Sequence, residues 1–376
     1  MRMKRSSLAE KRTVMTGTYC IEVKDPSREE KLSKKGGKRR IMVRFYYPGV
    51  EDPNKKPVAF MTKNKLKDYG VNPEMTAAYD QRVKLYEGLE MREGKFPLVL
   101  FSHGFSSCAE ANSDLCSAIA ESGYIVASVS HPYEASETVF EDGTSVRFVK
   151  SLYTKMTTPF ISGTIDQFKL LKKKLTAEEA LKEFDEFQKK YGGYMVSRLP
   201  EWAEDHRLAV RRIRELAEDA GSILYRKIDF SNGIGATGHS FGGATAYLQC
   251  LLDDEISCGV NIDGGLFGDF GEQVNHKPFM QIINPRNYNA VTRSMFYHDK
   301  PVHFMTFRDM AHIGFCDEKF LSKKYKLVGT SDPVRTMNTL NAAHIAFFDR
   351  YLKQGDTDNA QPLDLDTSML EKYEVC

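Results

Sequence analysis

The residues Gly238-His239-Ser240-Phe241-Gly242-Gly243 lie between an apolar run, 234–237, and a run of helix formers, 243–252. A G-x-S-x-G pattern alone is common by chance. One that separates a strand end from a helix start is a constraint on the fold. The chain has to turn sharply there, which forces the serine into a strained backbone geometry and lifts its hydroxyl above the sheet. Glycines two before and two after it keep side chains out of the crowded turn. The helix that follows brings unsatisfied N–H groups and the positive end of its dipole beside the same oxygen. Ser240 is therefore the candidate nucleophile.

Such a turn needs a sheet around it, and the flanking sequence supplies one. Residues 97–101 form a short apolar run of the kind buried on both faces in a parallel sheet, ending in His103-Gly104-Phe105. A helical stretch, 115–122, and a further apolar strand, 124–130, follow, the latter ending in His131-Pro132-Tyr133; strand, helix, strand is a βαβ unit. Strands are also expected at 17–23, 41–47, 258–262, 279–283 and 302–307, with a last helix near 336–352. Between 151 and 229 the chain turns charged and helical. Thr176 and Glu179 make a capping box, and Ala180, Leu181, Phe184, Phe187 and Tyr191 line one helix face. A second amphipathic run covers 202–216. The expectation is a single α/β domain over 1–376, with a mostly parallel central sheet, helices on both faces, and a helical cap inserted at about 151–229.

A serine hydroxyl attacks an ester at neutral pH only when a base takes its proton. Histidine has a suitable pKa, and a carboxylate orients it and stabilises the imidazolium. In folds built on this elbow the chain order is Ser, acid, His, with acid and base on loops after later strands. His312 follows the last parallel strand candidate. His303 lies at that strand's opposite end, His298 precedes it, and His344 belongs to the final helix. The strand that commonly carries the acid ends here in Ile283-Asn284-Pro285, without a carboxylate, whereas the preceding strand ends in Asp263-Gly264-Gly265. Asp263 is thus the favoured acid. Asp309 is the alternative, and would have to fold back tightly to reach a histidine three residues away. For the oxyanion, the backbone N–H groups of Phe241 and Phe105 are the candidate donors. Phe267, His131 and Tyr133 are candidate pocket residues.

The segments 97–104 (PLVLFSHG), 123–127 (GYIVA) and 238–245 (GHSFGGAT), with His312, Phe315 and Asp317, resemble the platelet-activating factor acetylhydrolases of the plasma/type II family, including bacterial relatives. The 23-residue step from Ser240 to Asp263 is also that family's spacing. The resemblance runs from about 40 to 353 and implies an α/β-hydrolase fold and a calcium-independent esterase acting on short or oxidised acyl chains of phospholipids. Where animal members carry a bulky aromatic shortly after the acid, this chain has Gly264-Gly265 and then Phe267.

Composition narrows the field. With 53 Lys and Arg against 51 Asp and Glu, there is no clustered basic excess of the kind nucleic acid requires. The basic loop 31–40 reads as a hairpin tip, with contact to anionic head groups as the sharper reading. No stretch of about 18 apolar residues would span a membrane, and 6–18 lacks the apolar core of a signal peptide. The seven cysteines are odd in number and contain no C-x-x-C pair, so reduced thiols in the cytoplasm are expected. No metal or other cofactor is expected, because the histidines and cysteines show no ligand spacing. The partners expected are a small ester or a phospholipid, with peripheral lipid contact and no nucleic acid. Two alternatives stand beside an acetylhydrolase-type esterase. One is a dienelactone-hydrolase-like or polyester-cleaving enzyme, and the other is a non-catalytic relative that binds a ligand.

Overall fold

The computed structural model describes residues 14–71, 73–152, 160–322 and 324–376. A long hairpin, β1 (Met15–Glu29) and β2 (Lys38–Gly49), comes first, followed by β3 (Leu85–Glu87), β4 (Phe96–Ser102) and β5 (Ile125–Ser130). A small separate hairpin pairs β6 (Glu137–Val139) with β7 (Ser145–Arg147). After the helical block come β8 (Ile228–Asp229), β9 (Ile234–His239), β10 (Ile256–Ile262), β11 (Phe279–Ile283), β12 (Val302–Phe307) and β13 (Leu370–Val375). The main sheet has 11 strands in the order β13-β12-β11-β10-β9-β4-β5-β2-β1-β3, with β8 beside β4. From β12 across to β5 every pairing is parallel, and β13 and β2 close the two sides antiparallel.

The period-two pattern explains how the sheet is covered. On β4, Leu98 and Leu100 face one core while Val99 and Phe101 face the other. The helices Phe241–Leu252 and Gly193–Glu218 pack on the first side, and Ser113–Glu121 and Pro333–Phe348 on the second. Residues 54–95, which show little periodicity, form the helices Lys63–Asp68 and Pro73–Arg82 before reaching β3.

The block 151–229, expected as a cap, has two kinds of contact. Phe160–Lys172 and Ala177–Tyr191 lean on one another and on the segment Pro285–Ala290, with Leu170, Phe184, Phe187 and Tyr191 buried beside Ala290. The expected capping box is present: Thr176 Oγ1 accepts from Glu179 N, and Glu179 Oε2 accepts from Thr176 N at 2.9 Å. Gly192 then ends one helix and opens the next, and a Cβ there would lie 2.7 Å from the Gln188 carbonyl oxygen. From this point the chain enters the sheet core, where Trp202, Ala209 and Ile213 are fully buried. The amphipathic run 202–216 therefore covers the sheet. Periodicity reports that a face is buried and not what buries it. Residues 153–159 of the block lie outside the described residues.

The basic loop is largely neutralised. Lys31 pairs with Glu201 at 2.6 Å, Lys38 with Glu29 at 2.5 Å and Arg40 with Asp142 at 2.9 Å, while Arg39 is buried between Glu30 and Asp205.

Candidate active site

The turn after β9 has the strain that its glycines foretell. Ser240 sits at φ 56°, ψ −122° and caps the helix Phe241–Leu252, a conformation that costs a non-glycine residue about 1–3 kcal/mol. Close packing leaves no room for side chains beside it: a Cβ on Gly242 would lie 2.1 Å from the Ser102 carbonyl oxygen. Ser240 N–H donates to the carbonyl of Ile262, which ties the elbow to the end of β10. The residue just past that strand end is Asp263, itself at φ 57°.

Ser240, His312 and Asp263 come together. His312 Nε2 is 2.9 Å from Ser240 Oγ, and His312 Nδ1 is 2.7 Å from Asp263 Oδ2. Asp263 is fully buried, whereas the His312 side chain is 43% exposed, so the line runs from the interior to an opening. Asp309 is exposed, and its carbonyl accepts from Thr330 and Ser331. His303 is held between the hydroxyls of Tyr351 and Tyr373, and burial pushes it down to about 3. His298 faces the carbonyls of Lys300 and Met295, and His344 meets the Leu340 carbonyl and the Thr237 hydroxyl.

Residues outside the sequence-based expectation hold this line in place. Asn284, at the strand end where a carboxylate was sought, donates to Asp263 through both its backbone N at 2.8 Å and its Nδ2 at 2.6 Å. Asn261 clasps the peptide of Gly264 in both directions, and a Cβ on Gly264 would lie 2.0 Å from the Ser240 carbonyl oxygen. His239, just before Ser240, donates from Nε2 to the His312 carbonyl at 2.9 Å, and its Nδ1 faces Cys316 Sγ at 3.2 Å. Burial first, and then the neighbouring His312, keep His239 well below the ordinary histidine range and therefore neutral. An asparagine at a strand tip was the one signal the sequence carried for Asn284. Nothing local marked His239 as a partner of residue 312.

A cavity of about 430 Å³ opens on Ser240 and His312, lined among others by Phe267, Leu171, Ala290, Leu327, Arg286 and Lys326. Phe267 thus lies where a pocket residue was expected. His131 and Tyr133 are not among its lining residues. His131 is fully buried, stacked on Trp202 at 3.8 Å and bonded to Asp205 and Ser102, so it belongs to the interior. The candidate oxyanion donors flank the elbow. Phe241 N–H opens the helix Phe241–Leu252, and the Phe105 and Phe241 rings meet edge to face at 6.3 Å. The Phe241 side chain is itself buried against Trp202. Among the described residues no group of three or more His, Cys, Asp or Glu could hold a metal, and no helix is long and apolar enough to cross a membrane.

This architecture is that of the α/β-hydrolases. A ferulic acid esterase from Streptomyces cinnamoneus has the same fold, with a TM-score of 0.70 over 97% of this chain and 99% of its own at 20% identity. The chain belongs to the family described as platelet-activating factor acetylhydrolase, isoform II, which it matches over residues 12–158 and 219–369. Among curated relatives, the platelet-activating factor acetylhydrolase of Gallus gallus is 23% identical over 294 residues, 69% of this chain and 62% of that protein. That of Bos taurus is 25% identical over 333 residues, 82% of this chain and 71% of the relative. The chain thus spans between six- and about seven-tenths of the length of these two relatives. The segment between the two matched stretches holds the helices Phe160–Lys172, Ala177–Tyr191 and Gly193–Glu218.

Proposed function

We propose that the protein is a serine carboxylic-ester hydrolase of acetylhydrolase type, working through an acyl-enzyme. The observation that carries this reading is the unbroken line from Ser240 Oγ through His312 to buried Asp263, at 2.9 and 2.7 Å. His312 Nε2 takes the proton as Ser240 Oγ adds to the ester carbonyl. Asp263, already bonded to Nδ1, fixes the tautomer and stabilises the imidazolium. The oxyanion is received by the N–H groups of Phe241 and Phe105, where one donor is worth roughly 10²–10³ in kcat. His312 then protonates the departing alcohol, and a water deprotonated by the same nitrogen releases the acid.

The substrate we infer is a phospholipid-like ester with a short acyl chain. Phe267, Ala290 and Leu171 give the cavity an apolar side suited to an acyl group. Arg286 and Lys326 are exposed at the same cavity, and neither forms an ion pair with a described residue. They suit an anionic group such as a phosphodiester. The acetylhydrolase relatives agree with this choice. A cytoplasmic setting fits seven cysteines that are all free of disulfides.

The test is a chain-length panel of nitrophenyl esters beside an acetylated ether phospholipid, with and without a chelator. Rates should peak from acetyl to butyryl, because a crowded pocket loses more by overpacking, about 1–3 kcal/mol, than it gains per methylene, about 0.8 kcal/mol. Hydrolysis should survive the chelator. Rates that rise through decanoyl would move the assignment to a general or lipase-like esterase, and loss of activity to the chelator would end the serine reading.

A further inference from the structure

The helix Gly193–Glu218 grips the turn 131–136, which braces the loop carrying one candidate oxyanion donor. Arg198, Trp202 and Asp205 are spaced four and three residues apart, so they share one helix face. Arg198 donates through Nε and Nη2 to the two carboxylate oxygens of Glu134, each at 2.9 Å, and Trp202 Nε1 adds a third bond at 2.8 Å. Asp205 accepts from His131 Nδ1 at 2.9 Å. Glu134, His131, Trp202 and Asp205 are all fully buried. Asp205 is clamped in turn by Arg39 at 2.5 Å and Arg28 at 2.8 Å. Burial alone would raise its pKa, but Arg39 and the His131 bond hold it well below the carboxylate range.

The gripped turn, 131–136, holds the loop after β4 by three bonds. Ser106 N–H donates to the Glu134 carbonyl at 2.8 Å, and Ser136 N–H to the Ser107 carbonyl at 2.6 Å. The third runs through a side chain. His131 N–H donates to His103 Nε2 at 3.2 Å, which makes Nε2 the acceptor and leaves the ring proton on Nδ1. That Nδ1–H donates to the Gly104 carbonyl at 2.7 Å. Burial lowers His103 to about 4, so the ring is neutral and the tautomer stays fixed. The Gly104 carbonyl and the Phe105 N–H belong to one planar trans peptide and point in opposite directions. Fastening the carbonyl, which also accepts Ser107 N–H at 3.0 Å, therefore sets where the Phe105 N–H is aimed.

Resting on the hydrolase reading above, we propose that Glu134, Arg198, Trp202, His131 and Asp205 are positioning residues for the Phe105 oxyanion donor, acting through the turn 131–136 and His103. Apolar packing could hold this loop in place. Only directional bonds fix the orientation of one peptide plane, and buried ion pairs add little net stability over a packed apolar core. Four of the five lie at positions the sequence left without a role, and three lie in the segment outside the family match.

The test uses the full chain with Glu134→Gln, Asp205→Asn and Trp202→Phe. The last keeps an aromatic ring at this buried position and removes the donor to Glu134, with a packing loss that the Tm reading reports separately. Leu199→Ala, a buried residue of the same helix outside the grip, serves as a stability control. On a short-chain nitrophenyl ester we expect kcat to fall about 10- to 100-fold, less than outright loss of a donor, with KM within about threefold. A boronic acid, which forms a tetrahedral anionic adduct on the serine, should lose affinity by the same factor as kcat. Leu199→Ala should lower Tm and leave kcat unchanged. Should the two charge-removing variants not fold, Trp202→Phe decides. Variants that lower Tm while keeping kcat and boronic-acid affinity would overturn the positioning role. A parent chain without Ser240-dependent hydrolysis would instead remove the reading beneath it.

Discussion

Ser240, His312 and Asp263 are joined by contacts of 2.9 and 2.7 Å; Ser102, His131 and Asp205 are joined, in the same order of atoms, by contacts of 3.0 and 2.9 Å. The residue types match, and so does the bonding of Nε2 to serine and Nδ1 to carboxylate. Everything around them differs. Ser240 stands at positive φ on the elbow, whereas Ser102 is an ordinary residue of β4. The first histidine reaches an open cavity, while all three members of the second line are sealed from solvent. Asp263 is held by the neutral donors of Asn284, so its charge remains available to an imidazolium. Asp205 is already balanced by two guanidiniums, and burial pushes His131 well below its ordinary range despite that carboxylate. A serine, a histidine and an aspartate in contact are therefore not yet a catalytic device. Access, a strained serine and a carboxylate without a cationic partner separate the line proposed as catalytic from the buried one.

The sharpest way to break this comparison is to remove each serine in turn. Ser240→Ala should lower kcat by on the order of 10⁶-fold, as nucleophile loss does elsewhere, and abolish labelling by a fluorophosphonate. Ser102→Ala should keep the label. Labelling of Ser102 in the parent chain would reverse the assignment. Next in size, Asp263→Asn should cost about 10⁴ in kcat, and Asp309→Asn no more than a few-fold. A larger loss at Asp309 would show that it is the acid.

The sealed histidines should appear in acid stability. His103, His206 and His344 are each lowered by burial to about 4. Between pH 6.5 and 4 the unfolded chain binds protons at these residues that the native state does not. Stability should thus fall as pH drops through that window. Glu318, raised by burial to about 7, acts in the opposite direction, since the native state then holds more protons between about 4.5 and 7. Burial raises Asp317 in the same sense as Glu318, but His131, His239 and His303 are lowered as well, so the lowered histidines outnumber the raised acids and Tm measured by calorimetry should decline from pH 6.5 to 4. A flat or rising Tm would mean that these histidines are charged or solvated. The smallest effect is the stability cost of Ser102→Ala, about 1–3 kcal/mol for leaving His131 Nε2 buried without its donor, read from the urea midpoint.

Local patterns made the strand–turn–helix around Ser240 readable, because its strain and its glycines lie within a few residues. Strand order did the same for the positions of Asp263 and His312, since each follows a short apolar run. His131 was misplaced into the pocket for want of such a signal. Its partner Asp205 lies 74 residues away, and a histidine at a strand end looks the same whether it faces a cavity or a buried carboxylate. The helical block failed in the same way: its apolar stripe showed a buried face but not which neighbour would cover it. Asn284 was noticed for the carboxylate it lacked, although its two bonds to Asp263 hold that carboxylate in place.

The Gly192 junction also bears on engineering, since it divides the block 151–229 into a half that packs beside the cavity and a half built into the sheet core. Before it, Phe160–Lys172 and Ala177–Tyr191 rest on Ala290 and contribute Gln167 and Leu171 to the cavity wall. After it, the chain is part of the sheet core. A transplant meant to admit different esters should exchange 160–191 and stop at Gly192. One that ran on past Arg198 would carry away the bonds to the turn 131–136 and bring a stranger's helix against the loop after β4.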